Sequence, residues 1–404
     1  MLRSIKNRVS PEMFLSLMIY GLGMGAYFVL DIYISVTYEA PVVADWAFFK
    51  SYLFFASALC VLGYDQVVLR DLAIVRNHFK RFLLQAIAIA MLVSLAVWLL
   101  FNKGNFFVLF GCAVILAVLA YLAGAARAQM KFVIAQLFTN GWRVLLLLIV
   151  LFGGIGKIGI GITYLVAMVT FLIISFALAF NVVNAEKGAS TLSDSVIRHL
   201  GFSFFLGNMT LVIALHGEQL LINLFDDIAA SHLLFIHVAI LTPAIVGLNG
   251  FIGFFLGPII RQNKSFGVDA FRELNFKLFL ISVPLAASSY LVGWFVFHYL
   301  VKSQSFDVPL AVFILMTCWV RNMYIAPSVV LAGFASARHL RLSMLLNWIF
   351  LSIYLMMVCF VLWCMDGLSA ARWVAALTLF HWVVRCISGN YFSLQSVRLK
   401  EVHN

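Results

Sequence analysis

FFVLFGCAVILAVLAYLAGAARAQMK, residues 106–131, runs from Phe106 to Ala126 without one charged side chain and then sets down Arg127 and Lys131. A helix rises about 1.5 Å per residue, so an uncharged block of this length crosses the roughly 30 Å hydrocarbon core of a bilayer. The next stretch, FVIAQLFTNGWRVLLLLIVLF at 132–152, has the same length and one interruption, Arg143. Outward from this pair the pattern recurs at 13–34, 46–64, 82–101 and 160–180, and again at 202–225, 233–256, 278–299, 309–333, 342–364 and 370–391. The expected fold is an all-α membrane protein of about twelve transmembrane helices in two six-helix lobes. Residues 1–190 hold spans one to six and residues 191–404 hold spans seven to twelve.

Composition leads to the same class. Apolar types make up 64% of the chain and charged types 11%, with a mean hydropathy of +1.05, far from the values of water-soluble domains. A membrane β-barrel is excluded because its strands alternate apolar and polar at period two over roughly ten residues. The net charge of +11 sits in short connectors and forms no basic domain, which argues against nucleic acid. The six cysteines lie in apolar blocks without metal-type spacing and read as small buried hydrophobes. The N-terminal apolar run is longer than a secretory signal and lacks a small-residue cleavage site, so it reads as the first span.

Lysine and arginine alternate sharply between connectors. One set holds nineteen: Arg3, Lys6, Arg8, Arg70, Arg76, Lys80, Arg81, Arg127, Lys131, Lys187, Arg198, Arg261, Lys264, Arg272, Lys277, Arg338, Arg341, Arg398 and Lys400. The other set holds Lys103, Lys157 and Lys302. By the positive-inside rule the first set is cytoplasmic, which puts both termini there and requires an even number of spans. The connector 181–200 is the expected boundary between lobes, with 192–199 read as an amphipathic helix on the cytoplasmic surface. An internal repeat supports the two halves: LAGAARA at 122–128 and LAGFASA at 331–337 agree at five of seven positions, at equivalent places in the two sets.

Several motifs carry no chemistry. Gly154, Gly156 and Gly159 match a dinucleotide fingerprint, but no strand or βαβ unit surrounds them and they read as an outer turn. No phosphate loop of the GxxxxGK[ST] kind occurs. The glycosylation sequons at Asn208 and Asn263 fall inside a span and on the cytoplasmic side. Gly21, Gly23 and Gly25, and Gly253 with Gly257, have spacing that lets helices approach closely. In the eighth span Pro243, Gly247, Gly250, Gly253, Gly257 and Pro258 weaken the helix along its length, and a kink is expected there.

Charges within the spans are the chemically unusual residues. A charge at mid-bilayer costs about 2.5–3.5 kcal/mol on insertion scales, so it must be paired or face water. Arg143, about 18 Å beyond Lys131 at the helical rise, and Arg321 are expected near the midplane. Arg385 and Lys50 are closer to an interface, and Arg372 reads as an interface anchor. Asp31 and Glu218, the latter between His216 and Gln219, sit in the outer parts of spans one and seven, the first helices of each half. They are candidates for ion coupling, and their alternative role is structural pairing with the arginines. Asn140, Asn249 and His237 are weaker polar candidates. An excess of fixed positive charge suits an anionic substrate, and the planar fork of arginine matches phosphate.

The chain resembles the bacterial polysaccharide flippases of the O-antigen (Wzx) type, in the polysaccharide transport family of the multidrug, oligosaccharidyl-lipid and polysaccharide exporter (MOP) superfamily. The resemblance covers nearly the full length and rests on GYDQVVLRDLA at 63–73, LAGAARAQMK at 122–131, GPIIRQNKSFGVDAFRELNFK at 257–277 and LAGFASARHLRLS at 331–343. It implies transport of an undecaprenyl-diphosphate-linked oligosaccharide from the cytoplasmic to the periplasmic leaflet of the inner membrane, by rocking of two lobes about a central cationic cavity. Arg143, Arg321, Lys50 and Arg385, with Asn140 and Asn249, would then meet the diphosphate. Asp31, Glu218 and His216 would carry a coupling proton or sodium ion, with no other cofactor. Membrane lipids and polysaccharide polymerase machinery are the further partners implied. Two alternatives stand beside it: a small-molecule or drug exporter of the same superfamily, and a membrane-embedded O-antigen polymerase or ligase. Outer connectors of only a few residues leave the enzyme little room for a site outside the bilayer.

Overall fold

With no water in the hydrocarbon core, the backbone must satisfy its own polar groups, and long apolar blocks therefore fold as helices. The computed structural model describes residues 11–69, 71–185, 193–262, 266–301 and 305–403. The N-terminal run of elements is α1 (Pro11–Thr37), α2 (Ala40–Val61), α3 (Tyr64–Val67), α4 (Ala73–Asn77), α5 (Phe79–Phe101), α6 (Phe106–Ala128), α7 (Phe132–Gly153), α8 (Ile155–Ile158), α9 (Ile160–Ile174) and α10 (Phe176–Val183). It continues with α11 (Asp194–Leu224), α12 (Ile228–Leu241), α13 (Pro243–Gln262), α14 (Val268–Tyr299), α15 (Val308–Met323), α16 (Ile325–Phe334), α17 (Ala337–Cys364) and α18 (Gly367–His403). No strand occurs among the described residues. Of the basic residues counted above, Arg3, Lys6, Arg8, Arg70, Lys187, Lys264 and Lys302 lie outside them, as does the sequon at Asn263.

Among the described residues ten helices are long and apolar enough to cross a membrane, α15 and α16 counting together as one. Two bent pairs, α9 with α10 and α12 with Pro243–Gly253 of α13, raise the number to twelve when each is one span. The protein is thus a multi-pass, all-helical membrane protein. Large apolar side chains such as Leu92 (66% exposed), Ile173 (70%) and Trp363 (79%) cover the outside, a surface suited to lipid and not to water.

Each bend has a local cause. Between α9 and α10 (62°), the buried Ser175 hydroxyl donates to the Phe171 carbonyl at 2.8 Å, a back-bond that bends helices. The break between α12 and α13 (60°) falls at Pro243, where the expected kink of the eighth span appears. Pro327, in the first turn of α16, has no N–H to offer one turn back, where α15 ends at Met323 and α16 begins at Ile325, and the two still run as one span.

Two expectations are corrected. Residues 194–199 are no separate surface helix but the first turns of α11, which runs unbroken for 31 residues; Leu192 lies outside the described residues. Tertiary contacts hold those turns in line: Asp194 pairs with Arg81, and Gly201 meets the chain at Gly63. Gly63 has φ +72, and a Cβ there would sit 2.5 Å from the Gly201 carbonyl, so both conformation and space demand glycine. The small-residue positions are also not equivalent. An added Cβ at Gly23 would lie 2.4 Å from Asn140 Cβ, whereas at Gly21, Gly25 and Gly253 it would meet nothing within 4 Å. Helical spacing put Gly21 and Gly25 on other faces than Gly23, so of these four glycines only Gly23 serves close approach. The Gly154–Gly159 segment is the turn expected, holding the four-residue α8 between positive-φ glycines.

The chain divides into two compact units, one comprising Met1–Leu30 and Asp45–His216, the other Asp31–Ala44 and Gly217–Asn404. The divisions fall within α1, α2 and α11. In the first unit, Tyr52 bonds Ser94 at 2.7 Å and Tyr121 stacks on Phe82 at 4.2 Å, fixing α2, α5 and α6 together. In the second, one cluster forms around Ile260, Phe271, Ile325 and Val397 and another around Ile236, Ile240, Val296 and Phe297.

In the second unit, the shallow Arg372 is an ion-pair partner: its Nε and Nη2 both reach the Asp307 carboxylate, whose Oδ1 also caps α15 by accepting from Leu310 N–H at 2.9 Å. The Arg372 hydrogen bond holds the Asp307 carboxyl below the ordinary carboxylate value of 3.8. A depressed pKa stabilises the fold above the unfolded value, and that stabilisation is lost as pH falls through the folded one. The thermal midpoint of the detergent-solubilised protein is therefore expected to drop below pH about 4, and less steeply in Asp307→Asn, which keeps a capping oxygen but not the charge. Equal slopes in the two proteins would remove this ion pair from the account.

Candidate functional site

In the first unit, Gln136, Asn140 and Arg143 recur at helical spacing on α7 and share one face. Asn140 Nδ2 donates to Gln136 Oε1 at 2.7 Å, and its Oδ1 accepts from Arg143 Nη1 at 2.9 Å. The same guanidinium nitrogen lies 3.0 Å from Met24 Sδ on α1. Arg143 is 8% exposed, and its Cζ stands 5.0 Å from the Tyr27 ring, 5.6 Å from Phe54 and 5.7 Å from Trp142. Lys50 on α2 places its Nζ 4.7 Å from the same Tyr27 ring. Two cations thus share one aromatic ring, each interaction worth about 0.5–2 kcal/mol depending on desolvation. His216, expected to serve ion coupling, stacks on Phe54 at 5.2 Å and so joins this group.

In the second unit, Thr378, His381, Trp382 and Arg385 form a stripe on α18 at spacings of three, four and seven. Arg321 of α15 lies over the Trp382 ring at 4.8 Å, and Arg385 lies over Trp382 at 5.5 Å and over Tyr324 at 5.2 Å. Trp382 and Arg385 are buried; Arg321 is half-buried. On the other side of the stripe, Glu218 Oε2 of α11 accepts hydrogen bonds from Thr378 Oγ1 and, at 3.2 Å, from Tyr354 Oη of α17. Tyr354 and Thr378 are themselves 2.9 Å apart, and the Tyr354 ring stacks on His381 at 4.9 Å. Arg321 acts on Glu218 by charge, while the bonds to the carboxylate come from hydroxyls.

The structure therefore gathers Arg143, Asn140, Lys50 and His216 in one unit and Arg321, Arg385 and Glu218 in the other. Asp31 is buried at the start of the segment that belongs to the second unit. Asn249 is half-buried on α13 and hydrogen-bonds to neither group. His237 is structural: its Nδ1 faces the Leu233 carbonyl at 2.8 Å, and its Nε2 accepts from Asp307 N–H at 3.1 Å. No group of three or more histidine, cysteine or acidic residues suited to a metal occurs among the described residues.

Sequence reasoning missed the aromatic frame of Tyr27, Phe54 and Trp142, and the set of Tyr324, Tyr354, Thr378, His381 and Trp382. The 378–385 stripe was findable from its helical spacing on one span. The Tyr27 and Phe54 contacts were not, since they join separate helices.

No protein-family model matches the chain, and no curated protein matches it. It is similar to a solved structure described as the inward-facing conformation of a multidrug resistance MATE family transporter of the MOP superfamily, at 13% identity and a TM-score of 0.48 over 95% of each chain.

Proposed function

We propose that this chain is a bacterial inner-membrane flippase, with both termini cytoplasmic, that moves an undecaprenyl-diphosphate-linked oligosaccharide from the cytoplasmic to the periplasmic leaflet by alternating access. The observation that carries the reading is the placement of guanidinium groups inside the spans against aromatic rings, Arg143 in one unit and Arg321 with Arg385 in the other. Guanidinium charges kept at that depth are costly unless they meet an anion, and a diphosphate offers the paired oxygens their fork accepts. Asp31 and Glu218 are the carboxylates suited to a coupling proton or sodium ion. In such a substrate the diphosphate is the part common to every glycan, so these residues recognise the carrier and not the order of its sugars.

The test is transport by the purified protein in vesicles carrying a fluorescent polyprenyl-diphosphate oligosaccharide. Protection of the fluorophore from an external quencher should change at a rate that depends on the protein and on an imposed ion gradient. Cationic dyes such as ethidium should not move. Dye transport without lipid movement would replace this reading with that of a drug exporter.

A further inference from the structure

The stripe on α18 that carries Trp382 and Arg385 continues with Gly389 and Ser393, one and two turns past Arg385. Glycine weakens a helix interior relative to alanine, and α18 runs unbroken for 37 residues, so Gly389 has to serve something other than the helix itself. What it serves is the junction of α15 and α16. A Cβ at position 389 would lie 2.7 Å from Tyr324 Cε2, 3.2 Å from Tyr324 Cδ2 and 3.2 Å from Pro327 Cβ. Ser393, fully buried, fastens the same junction by donating to the Pro327 carbonyl at 3.1 Å. The Tyr324 ring seated there stands edge-on to Trp382, at 6.0 Å and 74°, and Arg385 Cζ lies over it at 5.2 Å.

We propose that Gly389 is a positioning residue for Arg385: the space it leaves seats the Tyr324 ring against α18, and the seated ring fixes the direction of the guanidinium. The proposal deepens the transport reading and rests on it only for what a misdirected Arg385 does to transport. Arg385 has two stacking partners, Trp382 on its own helix and Tyr324 at the end of another. The first is set by α18 alone. The second reaches the guanidinium because no side chain fills position 389. A guanidinium ends a long flexible stem, and stacking on aromatic faces restricts its plane. A methyl group at 389 forces the ring away, since a carbon at 2.7 Å is inside contact distance and the Pro327 ring, tied to its own backbone, blocks the same space. Arg385 then keeps its charge and loses its direction.

The experiment joins a spectroscopic signature to transport. The full-length protein is labelled with fluorotryptophan in lipid nanodiscs, and the Trp382 fluorine resonance is identified by its loss in Trp382→Phe. Gly389→Ala should shift that resonance, because the Tyr324 ring edge leaves it. In vesicles the same variant should raise the half-saturating concentration of the fluorescent polyprenyl-diphosphate oligosaccharide about tenfold, the worth of one charge-assisted hydrogen bond, with the maximal rate far less affected. Tyr324→Val, which removes the ring, should raise half-saturation by a similar factor, and adding Gly389→Ala to it should change little further. A Trp382 resonance unmoved in Gly389→Ala overturns the seating of the ring. A shifted resonance with wild-type half-saturation overturns the positioning role, and a second full rise in the double variant overturns the route through Tyr324. Where Gly389→Ala does not reach the membrane, Tyr324→Val decides, and wild-type half-saturation in that variant overturns the proposal. Should wild type move no lipid at all, the transport reading fails, and the resonance in Gly389→Ala still decides the seating.

Discussion

Arg143→Ala is expected to lower lipid transport about 100-fold or more while the protein still reaches the membrane in wild-type amount. A charge-assisted hydrogen bond contributes about 1.5–3 kcal/mol, and a guanidinium meeting a phosphate makes two of them. Losing both removes roughly 3 kcal/mol or more, which is a factor of about 100 at 1.36 kcal/mol per decade. The aromatic frame of Tyr27, Phe54 and Trp142 stays behind when the side chain is shortened. Arg143→Lys keeps the charge but not the planar fork and should fall between wild type and alanine. The measurement is the initial rate of fluorophore protection in vesicles, normalised to incorporated protein. Wild-type rates from Arg143→Ala would remove the arginine from the mechanism.

The second large effect belongs to a residue with no side chain. Gly23→Val should abolish transport and lower the thermal midpoint in detergent. A Cβ at position 23 would stand 2.4 Å from Asn140 Cβ and 3.0 Å from the Asn140 carbonyl oxygen, atoms tied to the α7 backbone that have no rotamer to escape into. Overpacking of this kind costs about 1–3 kcal/mol and more when backbone must move. The displacement would also be directed at the site, because Met24 and Tyr27 of α1 touch Arg143 and Asn140 bonds it. Gly21→Ala and Gly25→Ala, two residues to either side, meet open space and should leave both measurements unchanged or slightly raise the midpoint. If all three substitutions behave alike, contact between α1 and α7 at Gly23 does not hold the site together.

These two residues also show how far the chain could be read without coordinates. Arg143 was visible because a charge in an uncharged block is conspicuous in one dimension. Gly23 was visible only as one of three glycines at alternate positions, and nothing local distinguishes it from Gly21 or Gly25. Glu218 stood out for the same reason as Arg143. Its hydrogen bonds to Tyr354 and Thr378, 136 and 160 residues away, leave no trace in its surroundings along the chain.

By itself the sequence determined that this is an all-helical, multi-pass membrane protein, that its eighth span is weakened and kinked, and which charges interrupt the apolar blocks. Those properties follow from the cost of moving single residues or single helices into hydrocarbon, which sums along the chain. Only the tertiary structure decided that Lys50 and Arg143 share the Tyr27 ring, that Trp382 lies against both Arg321 and Arg385, and that 194–199 continues a span instead of lying on the surface. Side-chain contacts between helices depend on how each is rotated about its axis. In an apolar solvent almost every rotation buries leucine and phenylalanine equally well, so hydrophobic pattern leaves the rotation open and close packing selects it.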